Sequence, residues 1–298
     1  MLMHTAYQFT AHAIEESNVA TPIHLAISTC PNDTFAFHAL MTQDVDWRGL
    51  KFYFELLDIQ QLNSRLFAGD FDIAKTSFHA ALKLTESTVV LPSGSALGFQ
   101  VGPLLLAAQA DAVPANGSQV TLCPGEDTTA ALLFQIFHSE TTQVRHEVFS
   151  EIMPALQRRE ADFGVCIHEG RFTWEQAGLS LVEDLGTRWE TETSCPLPLG
   201  GIVARRALPL DVIGKVQSAI HDSLQFALAD RSAALPTMRK YAQEFDDNVL
   251  MQHVDLYVND WTVDLGDVGQ NALNELSRRA TAVGVVTGAD PSVEIFAG

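Results

Sequence analysis

From about residue 22 onward, short strand-like segments alternate with longer helix-like segments, and this alternation constrains the fold more than any other feature of the chain. Ile23–Ser28 has the apolar, β-branched character of a strand, and the segment Asp33–Met41 has that of a helix. Lys51–Leu57 alternates polar and apolar residues, as a half-buried strand does, and Asp58 is placed to cap the helix that follows. The pattern predicts an open α/β sheet with right-handed crossovers.

The alternation resumes after a polar, turn-rich connector near residues 109–118, and a second connector lies near residues 196–201. Two connectors that bracket a middle block are expected when one lobe is inserted into the other, because the chain then crosses between the lobes twice. We therefore predict an α/β fold of two lobes, each a mixed sheet flanked by helices, with a central cleft for the ligand. The predicted division is an N-terminal extension over residues 1–21, lobe 1 over residues 22–108 and 203–298, and an inserted lobe 2 over residues 109–202.

The C-terminal part of the chain, from Leu210 to about Ala282, is predicted to be helical. Apolar residues recur there at helical spacing, at Val212, Val216, Ile220, Leu224 and Leu228. A stripe of this kind buries one face of a helix.

Charge and composition limit the partners of the chain. Hydrophobic residues make up 47% of the sequence and charged residues 18%, which suits an ordered globular protein, and the formal net charge is −19. Nucleic acids and anionic membranes bind clusters of Lys and Arg, so the acidic balance argues against both as partners. The expected partner is a small-molecule carboxylate, which local dipoles would have to capture because the overall field repels it. A homodimer is left open.

The sequence also bears on location and redox chemistry. The first twenty residues contain no Lys or Arg and no sustained apolar run, so they do not resemble a signal peptide, and no stretch approaches the roughly 18 apolar residues of a membrane span. We therefore expect a cytoplasmic protein.

The four cysteines form no CxxC pair and are expected to be buried, reduced thiols.

The leading candidate for chemistry is His168. The apolar, β-prone run Phe163–Ile167 stops at this residue, and the C-terminal edge of an α/β sheet is where ligands bind. Because an imidazole takes and returns protons near neutral pH, His168 is the candidate general base, although a packed structural histidine is the alternative. Glu169 would orient it or be exposed, and Arg171 would pair with Glu169 or bind a substrate anion.

Three other segments place polar side chains at the ends of predicted strands. Asn32 begins the first helix, where it either caps the helix or faces the cleft. Lys75, Thr76 and Ser77 follow a strand, and Lys75 is either a positive charge for the ligand or a solvated lysine. Thr128 and Thr129 lie at a helix start beside Gly125, in a geometry that suits a carboxylate or phosphate. His38 and His79 fall inside helices, where packing roles are expected.

The other common catalytic arrangements find no support in the sequence. There is no G-x-S-x-G elbow for a serine nucleophile, and no H-x-x-x-H or comparable set of metal ligands. Acid–base chemistry without a metal or a cofactor is therefore expected.

Several motifs, in order along the chain, resemble the 1,4-dihydroxy-6-naphthoate synthase family of the futalosine route to menaquinone. They run from about residue 23 to 283 and are Ser28-x-Cys30-Pro31-Asn32-Asp33-Thr34, Phe71-Asp72-Ile73-x-Lys75-x-Ser77-Phe78-His79, Gly94-Ser95-Ala96-Leu97-Gly98, Val101-Gly102-Pro103-Leu104-Leu105, Pro124-Gly125-x-x-Thr128-Thr129-Ala130, Ile167-His168-Glu169-x-Arg171-Phe172-Thr173, Pro196-Leu197-Pro198-Leu199-Gly200-Gly201, Tyr257-Val258-Asn259 and Leu265-Gly266.

The resemblance implies a fold similar to the type 2 periplasmic binding proteins, used as an enzyme. It implies a carbon–carbon lyase that converts cyclic dehypoxanthine futalosine to 1,4-dihydroxy-6-naphthoate and releases dihydroxyacetone. The family's proton-accepting histidine falls on His168, and its substrate-contacting positions fall on Lys75, Thr76, Ser77, Thr128 and Thr129. The alternatives are chorismate dehydratase of the same pathway, which shares the fold, and a non-catalytic small-acid binding protein.

Overall fold

The computed structural model describes residues 20–298 except 116, 140, 169, 243–245 and 287–291. The predicted N-terminal extension, up to residue 19, and the Glu169 side chain therefore lie outside the described residues. The strands are β1 Thr21–Ser28, β2 Leu50–Leu57, β3 Ile73–Ser77, β4 Thr88–Val90, β5 Ala96–Gly98, β6 Leu104–Ala107, β7 Val120–Cys123, β8 Gln143–His146, β9 Phe163–Cys166, β10 Ser180–Asp184 and β11 Leu197–Arg205. The helices are α1 Pro31–Ala36, α2 His38–Thr42, α3 Ile59–Phe67, α4 Phe78–Lys83, α5 Thr129–His138, α6 Phe149–Gln157, α7 Gly170–Thr173, α8 Leu185–Thr193, α9 Leu210–Ala229, α10 Leu235–Tyr241, α11 Asp247–Tyr257, α12 Asp260–Val263 and α13 Gly266–Ala282, with a 3₁₀ turn at Arg231–Ala234.

The strands form two mixed sheets. The first sheet has the order β2-β1-β3-β11-β4, with β5 also paired to β11, and the second has the order β10-β6-β9-β7-β8. In the first sheet β2, β1 and β3 are parallel, and β11 runs antiparallel to β3. In the second sheet β8, β7 and β9 are parallel, and β6 runs antiparallel to β9. Helices flank both sheets, which confirms the predicted α/β class and its two mixed sheets.

Local sequence signals predicted one helix start correctly and missed the division of another helix. The Asp58 carboxylate accepts hydrogen bonds from the backbone N–H groups of Gln60 and Gln61, so it caps α3 as predicted. The predicted first helix, Asp33–Met41, is instead two helices, α1 and α2, which meet at Phe37.

The core lies between each sheet and its helices. On β1, Ile23, Leu25 and Ile27 are fully buried in a cluster that includes Val216 and Ile220 of α9. The predicted apolar stripe of α9 is therefore buried over most of its length. Leu228 is the exception, because it lies at the last turn of α9 and remains 38% exposed.

The predicted lobe boundary at residue 109 does not coincide with sheet membership. β6 belongs to the second sheet, where it pairs with β9 and β10, whereas the predicted division places residues 101–108 in lobe 1. The chain first crosses between the sheets at residues 99–103, between β5 and β6, and it returns before β11. Apolar periodicity identifies a buried strand but carries no information on which distant strand it pairs with.

Within the described part of the chain, no helix is both long enough and apolar enough to cross a bilayer.

Candidate active site

A cavity of about 750 Å³ opens where strand ends of the two sheets face each other. Ser28 at the end of β1 and Ser77 at the end of β3 line it from the first sheet, and His168, two residues beyond β9, lines it from the second. Since β1 and β3 are parallel, their carboxyl ends meet at one edge, where open α/β sheets bind ligands.

His168 lies on the wall of this cavity, as the sequence predicted. Its backbone has a positive φ of 54°, a conformation that few residues other than glycine adopt. The Phe149 ring meets the imidazole edge-on, with 4.9 Å between ring centroids, and the His253 ring lies nearly parallel to it at 6.2 Å. The imidazole is therefore held between two rings at the edge of the open space.

Cys30 is a neighbour of His168 that the sequence did not single out as a site residue. Its sulfur lies 3.6 Å from Nδ1 and 3.8 Å from Nε2 of the imidazole, although 138 positions separate the two residues. Cys30 is a free, half-buried thiol, whereas Cys123 and Cys166 are buried free thiols as expected. Burial raises the pKa of the Cys123 and Cys166 thiols to about 12. Those two groups are inert, so only Cys30 of these three thiols faces the site.

Lys75 lines the cavity but is not a solvated lysine. Its ammonium group lies 2.7 Å from Oδ1 of Asp33 and donates to the Gly94 carbonyl at 3.0 Å. Ser28 and Asn32 donate to the same carboxylate, at 2.6 and 2.9 Å. Both partners of this ion pair are buried, so Asp33 compensates the positive charge of Lys75 within the cavity wall.

Thr128 and Thr129 lie at the N-terminus of α5 and line the cavity together with Ala130. The Thr128 hydroxyl accepts a hydrogen bond from the Ala131 backbone N–H, so it caps the helix, and the Thr129 hydroxyl donates to the Leu199 carbonyl of β11. Gly125 has a φ of 105°, and a side chain there would meet Gln60 at 2.1 Å. The α5 N-terminus thus presents the positive end of its dipole to the cavity.

Strand alternation separates the three residues at the end of β3. Lys75 and Ser77 line the cavity, and Asn32 lines it from α1. Thr76 is not among the lining residues, and its hydroxyl donates to the buried Asn63 at 2.9 Å. The predicted substrate contact of Thr76 therefore stays a prediction that the cavity lining does not support.

Arg171 pairs with an acidic residue of β10, whereas the predicted pairing with Glu169 lies outside the described residues. Its guanidinium pairs with Asp184 at 2.7 Å and donates to the Gly102 carbonyl at 2.5 Å. Arg171 nevertheless lines the cavity, while Asp184 also caps α8 through Gly186 and Thr187.

The two histidines that were expected to have packing roles, His38 and His79, are both buried and hydrogen-bonded. His38 bonds Thr237 at 2.8 Å, and His79 bonds the Thr128 carbonyl at 3.2 Å; both are buried. His253 of α11, which the sequence analysis did not consider, lines the cavity 4.6 Å from the Tyr257 ring.

No group of three or more His, Cys, Asp or Glu side chains in the described ranges has a metal-binding arrangement.

The fold and the site together define a two-lobed α/β protein with a ligand cleft between its sheets, of the kind seen in periplasmic binding proteins. A periplasmic aliphatic sulphonate binding protein from Escherichia coli matches it with a TM-score of 0.63 at 11% identity, over 91% of each chain. This likeness concerns the fold alone. An X-ray structure of a protein from Archaeoglobus fulgidus matches with a TM-score of 0.84 at 29% identity, over 91% of this chain and 100% of the other.

The chain belongs to the menaquinone biosynthesis family, whose profile matches residues 23–282. Two relatives are both named 1,4-dihydroxy-6-naphthoate synthase. The one from Streptomyces coelicolor is 38% identical over 93% of this chain and 99% of its own length. The one from Thermus thermophilus is 37% identical over 88% of this chain and 95% of its own length.

Proposed function

We propose that the protein is a 1,4-dihydroxy-6-naphthoate synthase, a carbon–carbon lyase that acts on cyclic dehypoxanthine futalosine and releases dihydroxyacetone. The observation that carries this proposal is the name shared by two relatives at 38% and 37% identity over most of the chain. The position of His168 on the cavity wall supports it, because the reaction needs a proton acceptor beside a bound ring.

His168 is the general base in this proposal. Removal of a proton from a hydroxyl or a ring carbon of the substrate starts cleavage of the bond to the three-carbon fragment. The remaining bicyclic ring becomes aromatic, which supplies much of the driving force. General-base assistance of this kind is worth roughly 10²–10⁴ in rate.

The substrate carboxylate binds at the α5 N-terminus in this proposal. Thr129 and Ala130 line the cavity at the first turn of α5, where the helix dipole favours an anion. Lys75 contributes less net charge than its position alone suggests, because Asp33 pairs with it. Ser77 and Asn32 are further lining residues that can donate hydrogen bonds to the substrate.

Incubation of the purified protein with cyclic dehypoxanthine futalosine tests the proposal. We expect equal amounts of 1,4-dihydroxy-6-naphthoate, detected by its chromophore, and dihydroxyacetone. A parallel incubation with chorismate distinguishes the dehydratase alternative, and calorimetry with either compound reveals binding without turnover. A folded protein that forms no naphthoate would exclude the synthase assignment.

The names of the two relatives favour the synthase over chorismate dehydratase or a non-catalytic binding protein. The cytoplasmic location and the homodimer stay predictions, which cell fractionation and analytical ultracentrifugation would test.

A further inference from the structure

A second cavity adjoins the first, and the two share part of their walls. It has an empty volume of about 960 Å³ and lies between the start of α1, the start of α6 and helix α11. Cys30, Ile59, His168 and His253 line both cavities, so these four side chains stand at the junction. A substrate that reaches across the junction places its central bonds beside His168.

His253 at this junction is buried and lacks a hydrogen-bond partner. The residue is only 6% exposed, and neither ring nitrogen has a partner within the described structure. An unpaired buried polar group costs about 1–3 kcal/mol, so such groups are rare, and one that lines a cavity can be satisfied by a bound ligand. The ring is fixed in place between the imidazole of His168 and the ring of Tyr257.

We propose that His253 is a substrate-binding residue that hydrogen-bonds hydroxyl groups of the three-carbon fragment, and that the second cavity receives this fragment when the carbon–carbon bond breaks. This inference rests on the proposed synthase function. The carboxylate end of the substrate binds at the α5 N-terminus in the first cavity, so the end that leaves lies across the junction. The second cavity offers polar side chains there, Thr29 and Asp58, that suit a polyol.

The two histidines at the junction have different roles. Burial, reinforced by the neighbouring His168, lowers the pKa of His253 to about 3, so its ring is uncharged at neutral pH. An uncharged imidazole offers one N–H donor and one acceptor nitrogen, which together match a hydroxyl group. His253 therefore holds the fragment, while His168 transfers the proton.

The test compares His253→Phe, which removes both hydrogen-bonding atoms but keeps a ring, with His253→Gln, which keeps a donor and an acceptor. We expect His253→Phe to lower kcat/KM at least tenfold, and His253→Gln to recover most of that loss. The affinity for 1,4-dihydroxy-6-naphthoate, measured by fluorescence quenching, is expected to stay within twofold in both variants, because the hydroxyl groups that His253 binds leave with the three-carbon fragment. Inhibition by added dihydroxyacetone is expected to disappear in His253→Phe only.

A matched control is His221→Phe, because His221 lies on α9 and lines neither cavity. A His253→Phe variant with unchanged kcat/KM and unchanged dihydroxyacetone inhibition would overturn the inference while leaving the synthase function standing. An equal loss of naphthoate affinity would also overturn it, because it would point to a structural role. If the wild-type protein forms no naphthoate, the proposed function fails and this inference fails with it.

Discussion

The backbone at His168 is held in a left-handed conformation directly after a buried strand. A positive φ costs a non-glycine residue on the order of 1 kcal/mol, so the surrounding packing must stabilise it. Phe149 and Cys30 contact the ring from two sides, and both contacts are long-range. The imidazole of His168 thereby meets Cys30, which follows β1 of the first sheet.

Replacement of His168 tests the base assignment at the scale of one side chain. We expect His168→Ala to lower kcat roughly 10²–10⁴-fold, because the substrate loses its proton acceptor. Circular dichroism and the urea midpoint should show a folded protein. The matched control His221→Ala should retain full turnover, and near-full turnover in His168→Ala would remove the proposed mechanism.

Breaking the ion pair of Lys75 and Asp33 is expected to lower the free energy of unfolding strongly. Lys75→Met leaves the Asp33 carboxylate buried without its countercharge, and breaking a buried pair in this way costs about 3–5 kcal/mol. Urea unfolding measures the loss. The control is Lys83→Met, which breaks a more exposed pair with Asp127 and should cost at most about 1 kcal/mol. Equal losses in the two variants would contradict the buried role of Lys75.

At the scale of elements, the α5 N-terminus combines a structural cap with the proposed carboxylate site. Thr128→Val removes the cap on the Ala131 N–H and should lower the free energy of unfolding by about 1 kcal/mol, whereas Thr128→Ser should not. The double replacement of Thr128 and Thr129 by Val should also raise KM. Unchanged kinetics in the double variant would make both residues plain helix-forming residues.

Strand ends and helix starts were the part of the site that the sequence could reveal. Asn32, Lys75, Ser77 and the α5 start all line the cavity, because residues next to a strand end are brought to one sheet edge by the α/β topology itself. Thr76 lies between Lys75 and Ser77 in β3 but does not line the cavity, so its contact with the substrate stays a prediction.

Contacts between distant segments could not be read from local pattern. His253 lies on a C-terminal helix, where a histidine beside apolar residues has the signature of a packed side chain, and only the packing of α11 brings it to the cavity. The pairing of Lys75 with Asp33 joins residues 42 positions apart and has no local signature. The sheet assignment of β6 depends on pairing with β9, about sixty residues later.

At the scale of the whole molecule, three buried histidines, His38, His79 and His253, make stability depend on pH, because burial lowers the pKa of each. Burial lowers the pKa of His79 to about 4 and that of His253 to about 3, against roughly 6.5 in the unfolded chain. The unfolded chain therefore binds more protons below pH 6.5, and the folded state loses stability as the pH falls from about 6.5 towards 4 and 3. Each histidine contributes up to about 1.4 kcal/mol per pH unit in that window.

Urea unfolding between pH 7 and pH 5, above the range of most carboxylates, measures this effect together with the smaller contribution of His38. The double variant His79→Gln and His253→Gln is expected to show a flatter dependence than the wild-type protein. An identical slope in the double variant would assign the pH dependence to other groups.

The neutralised lysine in the cleft has a consequence for how an anionic substrate arrives. With a net charge of −19 and Lys75 compensated by Asp33, an approaching carboxylate meets a repulsive field until it reaches the α5 N-terminus. Raising ionic strength from 0.01 to 0.1 M shortens the Debye length from about 30 to 10 Å and screens that repulsion. Stopped-flow measurement should therefore find that the association rate constant rises with added salt. Enzymes that attract their substrates electrostatically show the reverse. An association rate constant that falls with salt would reveal an unrecognised positive surface.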